Sequence, residues 1–156
     1  ILTAKAPRDR SYALPLAAPL ERGPRLRRRH HSDPQISMTT QIIPLSAAAI
    51  DPEVSTPSAD RLIAGSPKHA VSNYFSDPSG QFFAGRWSST TGKWPVRYTE
   101  NELCVMTSGR VVLTSDEGAV NSFGAGDAFV VPAGFSGTWE VLADCTKIYA
   151  IFEKLP

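Results

Sequence analysis

The chain has 156 residues, a formal net charge of +1 and 42% hydrophobic residues, which suits one small globular domain with an extension. Its two cysteines argue against the disulfide framework that stabilises many small secreted domains. No apolar stretch approaches membrane-spanning length, and no apolar core with a small-residue cleavage site predicts a secretory signal. We therefore expect a cytoplasmic protein without a membrane partner.

The first 37 residues differ in composition from the rest of the chain. Residues 1–37 are basic and rich in proline, with no apolar periodicity, which predicts a disordered extension. The run Arg25–His31 leaves three interpretations open: a nucleic-acid or membrane-surface patch, a solvated segment, or a stretch that precedes a natural start at Met38. Composition favours the last two, so we expect no nucleic-acid partner.

Residues 38–80 are predicted to form an arm that packs on the domain that follows. Ala70–Phe75 is expected to belong to this arm or to an edge strand, and His69 is expected to lie before the barrel. Asp77–Gly80, with the sequence Asp-Pro-Ser-Gly, is a strong turn signal. Gln81–Ser88 is then the first well-marked strand.

Short strands separated by glycine turns follow to the end of the chain. Strands at this regular spacing, with no helical period between them, predict an antiparallel sandwich or barrel. Glycine supplies the positive φ that tight turns require, and Pro132 ends a strand because it removes a donor from the ladder. The predicted strands are Glu102–Ser108, Arg110–Thr114, Ala119–Phe123, Ala128–Val131, Thr138–Leu142 and Thr146–Phe152.

Two glycine-anchored motifs stand in this region. Glu102 and Gly109 have a Glu-x6-Gly spacing, and Gly126 and Pro132 have a Gly-x5-Pro spacing. Together they resemble the two motifs of the cupin superfamily, and the finer sequence texture resembles the (S)-ureidoglycine aminohydrolase-type cupin domain. The resemblance implies an all-β fold: a single small cupin, or RmlC-like jelly-roll, β-barrel over residues 81–156 with an irregular N-terminal extension. It also implies a homodimer that pairs through an edge strand.

The same resemblance shows where this chain departs from metal-binding cupins. Three positions that carry histidine ligands in such cupins are occupied here by Val96, Tyr98 and Gly137, and only Glu102 of the four-ligand set remains. Transition metals are usually held by several convergent nitrogen, oxygen or sulfur ligands. We therefore expect no metal and no other cofactor.

Strand alternation predicts which side chains face the barrel interior. Glu102 on the inner face implies the same for Cys104 and Met106, and the resemblance favours inward positions for Lys147 and Tyr149. Cys104 has two interpretations, a small buried hydrophobe or a reactive thiol, and the first is favoured. Trp87 and Trp94 are expected in core or rim packing, and Glu100 in solvent. The predicted pocket combines polar groups with an apolar floor, and its residues are Tyr98, Glu102, Cys104, Met106, Trp139, Val141, Lys147 and Tyr149.

Three functions remain open at this point. The favoured one is a cupin that binds a small polar metabolite without the usual metal, using Trp139, Tyr149, Cys104 and Met106 as binding residues. The second is an enzyme of the ureidoglycine aminohydrolase type, or a related one, with Glu102, Tyr98 and Lys147 as acid–base groups. The third is a packed barrel with a structural or interaction role, in which Glu102 and Lys147 pair only to stabilise the fold.

Overall fold

Nine antiparallel strands are present in the computed structural model, which describes residues 41–46 and 50–154. A single short 3-10 turn at Ala59–Arg61 is the one helical element among these residues. No helix of the described part is long and apolar enough to cross a membrane. The strands are β1 Glu53–Ser55, β2 Ala64–Gly65, β3 His69–Ser76, β4 Phe82–Ser89, β5 Gly92–Arg97, β6 Asn101–Ser115, β7 Val120–Gly124, β8 Ala128–Val131 and β9 Ser136–Phe152.

The two longest strands, β6 and β9, organise the sheet. They pair with each other along most of their length, from Asn101↔Phe152 to Ser115↔Gly137. β9 also pairs with β4 and β5, so the path β1-β3-β4-β9-β5-β2 is continuous, while β6 adds β8 at one end and β7 at the other. This architecture confirms the predicted all-β jelly-roll fold.

The sequence analysis predicted two short strands in each of the two regions where the structure has one long strand, β6 and β9. β6 runs through Gly109, and β9 runs through residues 143–145, with register shifts between the two strands at that level. Gly109 has φ +78°, and a Cβ there would collide with the Asp144 carbonyl and with Cys145. Glycine is therefore required where the two strands cross closely, and it produces a bulge and not a chain break.

The predicted turn at Asp77–Gly80 is confirmed. The Asp77 carboxylate accepts hydrogen bonds from the backbone N–H groups of Ser79, Gln81 and Phe82, at 3.1, 2.9 and 2.8 Å. The hydrogen bond from the Ser79 hydroxyl, together with these backbone bonds, lowers the pKa of Asp77 to about 2. The turn connects β3 to β4.

The strands before residue 81 are hydrogen-bonded into the same sheet. β3 pairs with β4 from His69↔Ser89 to Ser76↔Phe83, and β1 pairs with β3. Of the two interpretations of Ala70–Phe75, the strand is the one observed. The predicted extension at residues 1–37 lies outside the described residues, and the division of the chain at residues 37 and 80 stays a prediction.

Candidate functional site

Strand alternation places the predicted site residues on the inner face of the barrel. Cys104 is opposite Tyr149 and Met106 is opposite Lys147 in the ladder between β6 and β9, so these side chains share one face. Glu102, Trp139 and Val141 are buried on that face as well. The burial of every residue of the predicted pocket follows the expected parity, whereas the function of these residues stays a prediction.

A buried ion pair lies at the centre of this group. Lys147 Nζ donates to Glu102 Oε1 at 2.7 Å and to Cys104 Sγ at 3.3 Å. The Lys147 and Glu102 side chains are only 3% and 0% exposed. Burial disfavours the ammonium, but the charge of Glu102 and the hydrogen bonds to Glu102 and Cys104 outweigh it and raise the pKa of Lys147. Burial raises the pKa of Cys104 to about 12, so Cys104 is a neutral thiol at pH 7 and the ion pair of Lys147 is with Glu102.

Two indole rings surround the Lys147 ammonium. Lys147 Nζ lies 4.5 Å from the ring centroid of Trp139 and 5.2 Å from that of Trp87. The two indoles meet edge to face at 5.8 Å between centroids. The negative faces of aromatic rings attract a cation, so these contacts add to the charge–charge attraction of Glu102. Trp87 and Trp94 are both buried in the core, as predicted.

His69 is a site residue that the sequence reasoning missed. It was expected before the barrel, but it is the first residue of β3 and only 1% exposed. Its ring packs against Trp94 at 4.6 Å and Trp87 at 5.3 Å. Burial lowers the pKa of His69 to about 4, so the imidazole is neutral at pH 7. If the strand predicted at Ala70–Phe75 is extended by one residue to His69, alternation puts the His69 side chain on the same face as that of Val71.

Five buried polar atoms of this group have no hydrogen-bond partner in the described part of the chain. Native proteins pair the large majority of buried polar atoms with protein or water, so several orphans in one contiguous cluster are unusual. The cluster joins Glu102, Lys147, the three tryptophans and His69 through the contacts given above. The five atoms are His69 Nδ1, His69 Nε2, Trp94 Nε1, Trp139 Nε1 and Glu102 Oε2.

Two tyrosines complete the inner face. The Tyr149 hydroxyl donates to Asn73 Oδ1 at 3.0 Å, and Gly85 leaves room for that hydroxyl because a Cβ there would crowd it. Tyr98 follows β5, and its ring packs edge to face against Phe135. Burial, with the charge of Glu102 as a further cause, raises the pKa of both tyrosines, so both remain protonated phenols at neutral pH.

One surface prediction was wrong. Glu100 was expected in solvent, but it is 1% exposed. Its Oε2 accepts hydrogen bonds from the Thr99 backbone N–H at 2.9 Å and from the Thr99 hydroxyl at 2.8 Å. The tight turn between β5 and β6 thus folds the carboxylate back under the chain, where local donors compensate for its burial.

The described residues contain no group of three or more histidine, cysteine, aspartate or glutamate side chains arranged to hold a metal ion. Gly137, one of the three positions at which the resemblance implies a histidine, has no room for a side chain. A Cβ at Gly137 would collide with the Thr114 carbonyl of β6. A ligand from this position would therefore require β6 to move.

Comparison with known proteins agrees with this architecture. Residues 76–149 match a family model described as the EutQ-like cupin domain. A crystal structure of a protein of unknown function from Pseudomonas syringae pv. tomato, of the DUF861 family, is 28% identical with a TM-score of 0.60. That match covers 67% of this chain and 44% of the other, so this chain spans less than half of that protein's length.

Two more distant structures share the fold. The Clostridium difficile EutQ protein is 19% identical over 64% of this chain and 80% of its own, with a TM-score of 0.51. A putative ethanolamine utilization protein Q from Salmonella typhimurium is 13% identical over 66% and 96%, also with a TM-score of 0.51. No curated protein matches the sequence significantly. The family match over residues 76–149, the two glycine motifs and the jelly-roll topology together support a cupin domain in this part of the chain.

Proposed function

We propose that this cupin binds a small polar metabolite in its barrel interior, without the histidine ligands of metal-binding cupins. The observation that carries the proposal is the cluster of five orphan polar atoms around the Glu102–Lys147 ion pair. Each buried polar group left unpaired costs roughly 1–3 kcal/mol, so a ligand that pairs several of them gains that free energy on binding. Aromatic walls with a few convergent polar groups are typical of small-molecule sites.

The binding residues in this proposal follow from their chemistry. The Trp139 indole supplies a flat apolar wall and an N–H donor, and Met106 supplies an adaptable apolar contact. Tyr149 and Cys104 border the ion pair and remain protonated, because burial raises the pKa of both groups. These residues hold and orient a ligand, whereas the ion pair sets its charge preference.

A screen of small metabolites by thermal shift tests the proposal, followed by NMR titration of any compound that raises the melting temperature. A compound that binds must stabilise the native protein by mass action. Its affinity must be lower for the Trp139→Phe variant, which keeps an aromatic ring at this position but lacks the N–H donor. Phe129→Leu is the matched control, because Phe129 packs partly buried against the core from β8 and carries no polar atom. Equal affinity in the two variants would argue against the interior site.

An enzyme of the ureidoglycine aminohydrolase type is the second candidate. It would use Glu102, Tyr98 and Lys147 as acid–base groups, and the resemblance in sequence texture favours it. Efficient proton transfer requires a pKa near the working pH, whereas the pKa values of Lys147 and Tyr98 are both raised away from neutrality. This argument ranks catalysis below binding. Turnover of ureido or amino-acid-like substrates that is lost in Glu102→Gln would reverse the ranking.

A homodimer is the assembly we propose. Support comes from an outer apolar patch, defined here as Phe82, Leu103, Val130 and Phe152, which are 39%, 43%, 59% and 48% exposed. These residues lie on the neighbouring strands β4, β6, β8 and β9. A contiguous uncharged patch of this kind is typical of association surfaces, and an apolar face is complementary to a second copy of itself.

Elemental analysis of the purified protein tests the proposed absence of a metal. Stoichiometric iron, manganese or zinc would favour a metal-dependent enzyme whose metal is held by ligands other than the missing histidines. A barrel that binds neither metal nor metabolite would favour the third function, a packed interaction module.

A further inference from the structure

The charges of the interior cluster cancel before any ligand arrives. The Glu102 carboxylate and the Lys147 ammonium neutralise each other at 2.7 Å. Other titratable groups near them, Cys104, Cys145, His69, Tyr98 and Tyr149, are uncharged at pH 7, because burial lowers the pKa of His69 and raises the pKa of the other four.

A charged ligand would break this balance. A carboxylate that contacts Lys147 must compete with Glu102, and if it remains ionised it leaves two negative groups around one ammonium. An ammonium that contacts Glu102 must share the carboxylate with Lys147, whose Nζ already lies between two indoles. An uncompensated buried charge costs several kcal/mol, so both kinds of ligand bind weakly.

The orphan atoms require a different ligand chemistry. The Trp94 and Trp139 indole nitrogens offer two N–H donors, Glu102 Oε2 offers an acceptor, and neutral His69 offers one donor and one acceptor. A neutral group with both a carbonyl oxygen and an N–H, or with a hydroxyl, pairs donors and acceptors of this set at once. It does so without disturbing the ion pair, and its planar form packs on the indole faces.

We infer that the interior site selects an uncharged ligand with both donor and acceptor, such as a primary amide, over the acid or amine of the same shape. This inference rests on the proposed function and narrows it to one ligand class. It also makes Glu102 the residue that determines specificity, because its charge is what excludes the acid.

The experiment is an NMR titration of the full chain with acetamide, acetate and ethylamine. Labelling the three tryptophans with 15N gives three indole N–H signals, assigned by the Trp87→Phe, Trp94→Phe and Trp139→Phe variants. We expect acetamide to shift the Trp94 and Trp139 signals with a dissociation constant about tenfold below those of acetate and ethylamine. The Trp87 signal should shift less than the other two, because its nitrogen is not among the orphan atoms.

The outcomes separate the two proposals. Acetate or ethylamine binding as tightly as acetamide, with shifts at Trp94 and Trp139, overturns the uncharged-ligand inference and leaves the proposed function standing. No shift with any of the three probes overturns the proposed function and this inference with it. Glu102→Gln provides a second test, because removal of the carboxylate leaves Lys147 to attract an anion and reverses the preference toward acetate. The titrations of the unmodified chain decide the question even where this variant fails to fold.

Discussion

The two faces of the β6–β9 pair carry opposite chemistry. On the inner face, Glu102 and Lys147 form an ion pair that is almost completely shielded from water. On the outer face, the adjacent residue Leu103 lies opposite Ala150 and beside Val130, and the outer apolar patch is widely exposed. One ion pair is therefore buried in a mostly apolar core and one apolar patch is exposed, and both depart from the usual arrangement in a two-sided sheet.

These two features indicate a role in binding more than in stability, for the ion pair on the inner face and for the apolar patch on the outer face. Buried charges persist only when they are paired and hydrogen-bonded, and replacing such a pair by apolar residues is often neutral or stabilising. A fold that keeps the pair inside gains little stability from it, which agrees with a binding role. Exposed apolar groups in one patch agree in turn with a partner surface.

Breaking the inner pair is the largest expected effect. Lys147→Met leaves Glu102 as an unpaired buried carboxylate, so we expect a loss of about 3–5 kcal/mol in the free energy of unfolding, measured by urea denaturation. Lys93→Met is the matched control: Lys93 Nζ pairs with Glu140 Oε2 at 3.0 Å, but the two side chains are 30% and 32% exposed. This surface pair contributes about 0–1 kcal/mol. Equal losses in the two variants would contradict the contrast between buried and exposed pairs.

The second effect concerns pH and His69. Its pKa is about 4 in the fold and 6.5 as an ordinary value, because burial disfavours the imidazolium. The unfolded chain therefore binds a proton before the folded chain does, and stability falls as the pH decreases from 6.5 toward 4, by up to about 3 kcal/mol. Below that window the folded state is protonated too. Urea denaturation at pH 7 and pH 4.5 measures the loss.

His69→Phe isolates this contribution, because it keeps an aromatic ring against Trp87 and Trp94 but has no titratable group. We expect a smaller decrease in stability between pH 7 and pH 4.5 than in the unmodified chain. The two proteins differ only at residue 69, so the difference between the two decreases is assigned to His69. Parallel decreases would show that His69 is not buried as a neutral imidazole.

A third effect concerns the crowding of the inner face. Gly137→Ala would push a Cβ against the Thr114 carbonyl of β6, so we expect a loss of about 1–3 kcal/mol, read from the urea midpoint. Gly124→Ala is the matched control, because a Cβ there meets only the Gly109 carbonyl at 3.8 Å. That change should remain within about 0.5 kcal/mol of the unmodified chain. A tolerated Gly137→Ala would mean that β6 moves easily, and the argument against a ligand at this position would fail.

The smallest effect on folding, but a decisive one for assembly, is expected on the outer face. Leu103→Lys places a charge in the outer apolar patch and should convert a dimer to a monomer in light scattering, with little change in monomer stability. Val120→Lys is the control: Val120 is 66% exposed on β7, outside the patch. A native protein that is already monomeric at about 100 µM, a concentration at which a micromolar dimer is formed, would refute the homodimer.

Much of the inner face was predictable because a strand has a period of two. Once Glu102 is placed inside, the same parity buries Cys104 and Met106, and Lys147 and Tyr149 on the neighbouring strand follow one alternation. The turn at Asp77–Gly80 was predictable for a local reason, since its hydrogen bonds are made by residues close in sequence. The continuity of β6 through Gly109 was not predicted, because a glycine that forms a bulge has the same signature as one that ends a strand.

By itself, the sequence determined the all-β fold, the two glycine motifs and the alternation that puts Glu102, Cys104 and Met106 on one face, because these depend on local patterns. Only the tertiary structure decided the 2.7 Å contact between Lys147 and Glu102, which are 45 residues apart. The same holds for the burial of His69 against Trp87 and Trp94, and for the closure of Gly137 by β6. Contacts between strands distant in the chain depend on register and bulges, and no local pattern encodes those.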